Sequence, residues 1–188
     1  MTSVVFRQLR VLPLLVAAFV FTIYLTNANA DTINVTDDAS LTAALAAVNP
    51  GDVVVLADGT YSGFTVSRSG TATAPILIKA ANQGGANIAS GVIHLNQTSF
   101  VTLQGLTITS PGGKDTVDGE SLQFIVWFDA AQSCRLTNWT FHPPVPQAKN
   151  LAWVLLGGAG DSNRIDHNEF GRETPAGAPI MCGHAARG

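Results

Sequence analysis

Three segments of this chain can be aligned with one another at offsets of 33 and 29 residues, and this repeat strongly limits what the chain can fold into. The aligned segments are residues 100–109, 133–142 and 162–171. Leucine or isoleucine recurs at one aligned position, and isoleucine or phenylalanine recurs five residues later. A repeat of this length, made of short apolar strands and turns, indicates a solenoid in which each coil packs on the next.

The aligned positions predict apolar rows inside this solenoid. One row contains Leu103, Leu136 and Ile165, and another contains Ile108, Phe141 and Phe170. Further apolar runs precede the three segments, at residues 91–95, 123–128 and 151–156. Because successive coils run in the same direction, we expect neighbouring strands to pair in parallel. A β-sandwich with irregular hairpins is the alternative, which the repeat and the absence of clear hairpin signals disfavour.

The residues before the repeat add one helix and two strands to this prediction. Apolar residues at helical spacing predict a helix over residues 40–48, with Ser40 as its N-cap. Short apolar runs at Val53–Leu56 and Ile76–Ile78 end at turn-forming residues and predict strands. The helix is expected to cover the open N-terminal end of the coil stack.

The composition excludes several classes of protein. Charged residues make up 12% of the 188 residues and hydrophobic residues 46%, which is too apolar for a disordered chain. Ten Lys and Arg against thirteen Asp and Glu give a net charge of −3, which argues against binding of nucleic acid. Two cysteines are too few for a disulfide scaffold or a cysteine-rich zinc site. The length fits a single domain.

The N-terminus has the features of a secretory signal peptide over residues 1–30. Arg7 and Arg10 precede an apolar run over residues 11–25, and Ala28-Asn29-Ala30 provides a small-residue cleavage site. The run is shorter than the roughly 20 residues of a spanning helix, although an uncleaved signal anchor is the alternative. The mature chain is therefore expected to be extracellular and not bound to a membrane.

Removal of the signal peptide would leave residues 31–188 with a net charge of −5. This charge predicts weak binding of a polyanion by the mature chain unless a cation takes part. Three sequons fit export and are candidate sites of N-glycosylation, at Asn34, Asn96 and Asn138.

Four blocks of the chain, in order, carry a resemblance to a known family. The first two blocks are VNPGDVVVLADGTY (48–61) and SGTATAPILIKA (69–80). The next two are FVTLQGLTI (100–108) and NRIDHNEF (163–170). They resemble polysaccharide lyase family 6, which contains chondroitinase B and the alginate lyases, and the match covers about residues 33–175. The resemblance implies an all-β, right-handed parallel β-helix that cleaves uronic-acid polysaccharides, of the alginate or chondroitin/dermatan type, by β-elimination.

The resemblance also implies the catalytic groups. β-Elimination needs a cation that neutralises the uronate carboxylate, a base that removes the C5 proton and an acid for the leaving oxygen. Members of the family are thought to use calcium, a lysine and an arginine, on coils that follow the one resembling residues 163–170. None of these groups has a matching position here, so no catalytic or metal-binding residue is assigned. We therefore expect residues 31–188 to be the N-terminal coils of an incomplete, inactive lyase-like domain, without a C-terminal cap on the last coil.

Two other functions stay open at this point. One is a non-catalytic secreted β-helix that binds glycan or offers a surface, and the other is a pectate-lyase-like protein of another family, since fold alone does not determine chemistry. The expected partner is an acidic polysaccharide, and the expected state is a monomer.

Few of the remaining polar residues predict a site. The alternation of strand residues places Ile165, Asn168 and Phe170 inward, and it places Asp166 and Glu169 outward. These two acids, with Glu173, are candidates to approach a cation, but a solvated coil edge is favoured because calcium needs six to eight oxygens. We expect Asn168 to bond turn backbone.

Other side chains have competing interpretations. Two histidines, His142 and His167, are not paired with any evident nucleophile and are assigned surface or turn roles. The lysines are expected to be solvated: Lys79, Lys114 and Lys149. The tryptophans either stack on sugar rings or fill the core: Trp127, Trp139 and Trp153. A buried free thiol is predicted for Cys134, with a Cys134–Cys182 disulfide as the weaker alternative.

Overall fold

The computed structural model describes residues 30–117, 120–142, 151–171 and 178–182. The predicted signal peptide lies outside these residues except for Ala30, and so do Lys149 and Glu173. Within the described residues, no helix is both long enough and apolar enough to cross a membrane.

The described chain consists of one helix and seventeen short strands. In chain order they are β1 (Thr32–Val35), α1 (Asp38–Ala47), β2 (Val53–Leu56), β3 (Gly59–Ser62), β4 (Thr65–Val66), β5 (Ile76–Ala80), β6 (Ala86–Ser90), β7 (Ile93–Asn96), β8 (Val101–Gln104), β9 (Thr107–Ile108), β10 (Gly113–Val117), β11 (Glu120–Asp129), β12 (Arg135–Thr137), β13 (Thr140–Phe141), β14 (Leu151–Gly157), β15 (Arg164–Asp166), β16 (Glu169–Phe170) and β17 (Ala178–Cys182). The strands predicted at Val53–Leu56 and Ile76–Ile78 are therefore present.

These strands form three sheets that the chain visits in turn. Sheet I has the order β1-β2-β5-β8-β12-β15, sheet II has β3-β6-β9-β13-β16, and sheet III has β4-β7-β11-β14-β17. Five successive described coils therefore each contribute one strand to every sheet, beginning with β2, β5, β8, β12 and β15. The pairing between coils is parallel throughout, which is the architecture of a parallel β-helix and excludes the β-sandwich.

The predicted interior rows are confirmed by the strand register. In sheet I, Leu136 lies between Leu103 and Ile165. In sheet II, Phe141 lies between Ile108 and Phe170. Leu136 and Phe141 are fully buried, and the residues from the last described coil are partly buried against the same core.

The predicted helix is present, but its N-cap is Asp37 rather than Ser40. The Asp37 carboxylate accepts a hydrogen bond from the Ser40 backbone N–H at 2.7 Å, and the Ser40 hydroxyl accepts one from the Asp37 N–H at 3.1 Å. The two residues form a capping box, so Ser40 lies three residues inside the helix. Val48 is the C-cap, and the buried Leu41 and Leu45 join the helix to the β-helix core.

One pair of strands departs from the predicted all-parallel arrangement. Strand β10 pairs antiparallel with β11, in a register that places Val117 opposite Glu120. The two residues between them are Asp118-Gly119, a sequence favoured in two-residue hairpins. The sequence-based expectation that clear hairpin signals are absent is therefore wrong at this position. The hairpin lengthens the third coil, whose register offset in sheet I is 33 residues against 24 and 25 in the two coils before it.

Candidate functional site

The acidic residue Asp166 lies on the outer face of sheet I and is held by three cationic or polar side chains. The Arg135 guanidinium donates to both carboxylate oxygens, from Nε to Oδ1 at 2.9 Å and from Nη2 to Oδ2 at 2.8 Å. Arg164 Nε lies 2.8 Å from Oδ2, and His167 Nδ1 lies 3.1 Å from the same atom. The hydrogen bonds from Arg135 hold the pKa of the Asp166 carboxyl well below its usual range.

This geometry corrects one interpretation of the sequence and confirms another. Asp166 is not part of a solvated edge, because its side chain is only 15% exposed and pairs with two arginines. His167 has the predicted surface and turn position, since it is exposed and its backbone is in the left-handed region at φ 57°, and it also contacts the Asp166 carboxylate. Glu169 is exposed, as expected.

Calcium does not fit this group of residues. Both Asp166 oxygens already accept hydrogen bonds from a guanidinium, and two positive charges lie where a cation would have to bind. Within the described part of the chain, no three His, Cys, Asp or Glu side chains are grouped so that they could hold a metal ion. The Asp166 and Glu169 carboxylates are therefore not arranged to bind calcium.

Asparagine side chains join neighbouring coils at two turns. Asn168 Oδ1 accepts from the Trp139 backbone N–H at 2.9 Å, and its Nδ2 donates to the Leu136 carbonyl at 3.0 Å. Asn163 makes the same kind of bridge to the backbone of Cys134 and Ala131. The predicted role of Asn168 is confirmed, although the left-handed backbone position belongs to its neighbour His167.

The tryptophans divide into two groups. Trp139 and Trp153 are each 1% exposed and belong to the core, where Trp153 stacks on Phe141 and Phe170. Trp127 lies on the outer face of sheet III and is only partly buried. Only this tryptophan, among the three, is therefore near a surface that a sugar could reach.

Trp127 forms a ring pair with His94 on the preceding coil. The indole and imidazole centroids are 4.4 Å apart and the planes differ by 3°. His94 Nε2 lies 3.3 Å from Asp129 Oδ2, two residues after Trp127 on the same strand. The register of β7 on β11 places His94 opposite Trp127, so the stacking follows directly from the coil repeat.

A depression of about 210 Å³ adjoins this ring pair. Its walls include Lys114, which was expected to be a solvated lysine, together with Gly113 from β10. The remaining lining residues are Thr65, Val92, His94, Phe124 and Trp127. The site therefore brings together two side chains that the sequence had suggested separately, Lys114 and Trp127, and one that it had not, His94.

The cysteines and sequons complete the candidate residues. Both cysteines are free, Cys134 buried and Cys182 exposed, so the alternative of a Cys134–Cys182 disulfide is wrong and the buried thiol is confirmed.

Asn34 is exposed on β1, whereas Asn96 and Asn138 are partly buried, and Thr98 of the second sequon is fully buried. Lys79 is partly buried on sheet I, and His142 is exposed after β13.

Stacked parallel coils with a helix packed on the first of them define a protein of the parallel β-helix class, which includes polysaccharide lyases. The family model for chondroitinase B matches residues 35–184, and the chain belongs to that family. None of the curated protein sequences matches this chain.

Solved structures of polysaccharide lyase family 6 share this fold. A mannuronic acid specific lyase from human gut microbiota superposes with a TM-score of 0.64 at 23% identity, over 81% of this chain and 36% of that one. The alginate lyase AlyGC gives 0.58 at 21% identity, over 74% of this chain and 19% of its own. A family 6 lyase from Pseudopedobacter saltans gives 0.57 at 14% identity, over 80% and 41%. The chain thus spans between a fifth and two fifths of these relatives.

Proposed function

We propose that this chain forms the N-terminal coils of a secreted lyase that cleaves uronic-acid polysaccharides by β-elimination. The observation that carries the proposal is the family match over residues 35–184, together with the parallel stacking of the coils within these residues. The solved relatives include an alginate lyase and a mannuronic acid specific lyase, which favours alginate as the first substrate to test.

In the proposed lyase, the described coils form the scaffold and bind the polysaccharide. The groups that cleave the bond lie outside these coils. Several described carboxylates are already engaged within the fold. Asp166 pairs with arginines, Asp129 pairs with His94, and Asp52 accepts from the backbone N–H groups of Asp31 and Asn49. By family resemblance, the proposed lyase uses calcium, and the ion is bound by residues other than Asp166 and Glu169. Residues 31–188 alone are accordingly proposed to be inactive.

The second candidate function is glycan binding without cleavage. The observation that favours it is the depression beside His94 and Trp127, where an aromatic surface and a lysine lie together on the outside of sheet III. Rings and a nearby cation are suited to binding an acidic sugar whether or not the bond is later broken.

The test is the absorbance of the unsaturated uronate product. Alginate, polymannuronate and dermatan sulfate are each incubated with purified protein and calcium. We expect no product from residues 31–188, and we expect product from any longer protein that contains these coils. Calcium-dependent product from residues 31–188 would contradict the proposed inactivity, while no product from the longer protein on any uronan would contradict the lyase proposal.

A further inference from the structure

Two cavities on the outside of the first coils adjoin one another and are together termed the groove. The larger, about 610 Å³, lies between α1 and the residues around β4, and its walls include Leu45, Phe64 and Arg68. The smaller is the depression beside His94 and Trp127. Thr65 and Val92 line both cavities, which places the two side by side. The larger cavity alone falls in the volume range of ligand sites in proteins.

The charge of this groove is opposite to that of the whole chain. Its lining side chains include two cations, Arg68 in the larger cavity and Lys114 in the smaller, and among the described residues no Asp or Glu lines either cavity. The chain as a whole carries a net charge of −3. The groove is therefore a local positive region on an acidic protein, which is where an anionic ligand would be drawn.

Arg68 is positioned by neutral groups that leave its charge uncompensated. Its Nε donates to the Val48 carbonyl at 3.0 Å, and its Nη2 donates to Asn49 Oδ1 at 3.3 Å. Both acceptors belong to the end of α1 and the turn that follows it. A guanidinium has five N–H donors, so the remaining donors of this exposed side chain can bind a carboxylate while the other two hold the orientation.

The second cavity supplies a surface for the apolar face of a sugar ring. Trp127 covers one face of the His94 imidazole, and the strand register places the shorter side chain of Thr65 on the other side of His94. Phe124 and Val92 add apolar walls. C–H faces of pyranose rings pack favourably on surfaces of this kind, and Lys114 lies at the same cavity to meet a carboxylate.

We propose that this groove is a binding site for an acidic oligosaccharide, with uronate carboxylates at Arg68 and Lys114 and a sugar ring beside the His94–Trp127 pair. The site rests on the proposed function for the identity of its ligand, a uronan, and it adds a substrate-binding region at the N-terminal coils. It acts in binding and not in bond cleavage. It also reverses the expectation of weak polyanion binding, because local charge and not net charge determines the contact.

The test is isothermal titration calorimetry of the full chain with a mannuronate hexasaccharide. The buffer contains EDTA, so that bound divalent cations contribute nothing to affinity, and product absorbance is measured on the cell contents after each titration. We expect saturable binding by the wild type and no binding of the neutral hexasaccharide cellohexaose. Because the charged contacts dominate, the wild-type affinity should fall as salt is raised.

Two substitutions and two controls make the assignment specific. Lys114→Gln and Arg68→Gln should each weaken binding about tenfold, the effect of losing one charge-assisted hydrogen bond. Arg68→Lys should recover part of the loss. Lys79→Gln, a matched change on sheet I, should leave the affinity unchanged. Lys114 is exposed on the hairpin, so its substitution tests the site even where a change at Arg68 disturbs the turn after α1.

Each outcome has a defined meaning. Absence of wild-type binding, equal binding of cellohexaose, or wild-type affinity in Lys114→Gln would overturn the groove as an acidic-sugar site. Binding that depends on Lys114 without product formation by any longer protein in calcium would leave the groove standing and contradict the lyase proposal. Product formation by a longer protein, together with wild-type affinity in both Lys114→Gln and Arg68→Gln, would overturn the groove and leave the lyase proposal standing.

Discussion

Arg135 and Asp166 form a two-bond ion pair across neighbouring coils. The guanidinium Nε and Nη2 reach Oδ1 and Oδ2 at 2.9 and 2.8 Å. The two residues are two positions apart in strand register, because Arg135 lies opposite Arg164 and Asp166 lies opposite Thr137. The pair therefore crosses the parallel ladder diagonally and ties β12 to β15.

We expect Asp166→Asn to lower the melting temperature at pH 7. The Asp166 pKa is lower in the folded chain than its unfolded value of about 3.9, so the ion pair stabilises the fold above that value. This stabilisation is lost as the pH falls toward the folded pKa, and the difference between wild type and variant should shrink below about pH 4. Thermal unfolding across this pH range measures it.

Glu169→Gln is the matched control, since Glu169 is an exposed acid on the next strand of the same coil. Its melting temperature should follow the wild type at every pH. A wild-type melting temperature for Asp166→Asn at pH 7 would show that the ion pair contributes nothing measurable.

Leu136→Ala should lower the free energy of unfolding by about 2–5 kcal/mol, because it leaves a cavity between two apolar neighbours in the interior row. Leu136 is fully buried between Leu103 and Ile165. Leu77→Ala on the outer face of the same sheet is the control. It should lower the free energy of unfolding by a smaller amount, since Leu77 is only partly buried. Urea unfolding measures both. Equal losses of unfolding free energy in the two variants would show that the interior row stabilises the fold no more than the outer face does.

A charge at the same position should have a stronger effect. Leu136→Asp would place an unpaired carboxylate among buried apolar side chains and should abolish soluble expression. A normal yield with an unchanged melting curve would contradict the burial of this row.

Asn168→Asp should reduce the free energy of unfolding by about 1–3 kcal/mol. The change keeps an acceptor for the Trp139 N–H but removes the donor to the Leu136 carbonyl, and it brings a negative charge near that oxygen. Asn34→Asp on the exposed face of β1 provides the same chemical change without such bonds. Urea midpoints that coincide for the two variants would rule out a stabilising bridge.

The two thiols should differ in reactivity. Cys134 is 1% exposed and burial raises its pKa, whereas Cys182 is exposed. Ellman's reagent should therefore titrate one thiol per chain in the native protein and two in guanidinium chloride. Cys182→Ser should abolish the native reaction. Rapid reaction of two thiols without denaturant would mean that Cys134 is accessible.

Secreted protein should begin at Asp31. Cleavage after Ala30 follows from the basic start, the short apolar run and the small residues at Ala28 and Ala30. N-terminal sequencing of protein from the medium measures this directly. Recovery of Met1 or Thr2 on a membrane-bound product would support the signal anchor instead.

The interior of the fold was predictable because it repeats. Aligning the three segments placed Leu136 beside Leu103 and Phe141 beside Phe170, and the register agrees at both places. At the 33-residue offset, the same alignment also places His94 opposite Trp127. That position in the repeat is the sequence signal that predicts the ring pair.

The polar surface was harder to predict for physical reasons. The partners of Asp166 depend on rotamers of long arginine side chains reaching diagonally from another coil, which a repeat alignment alone does not determine. The groove depends on where α1 and the β10–β11 hairpin lie against the coils, and neither element belongs to the repeat.

The hairpin β10–β11 has a consequence for how such a protein can vary. It adds residues at one corner of the third coil, yet Val126 still pairs with Ile93 before it and with Val154 after it. The corner thus absorbs a length change without passing it on to later coils. Lys114 is carried on this insertion, so remodelling the hairpin would give the same scaffold a different ligand preference.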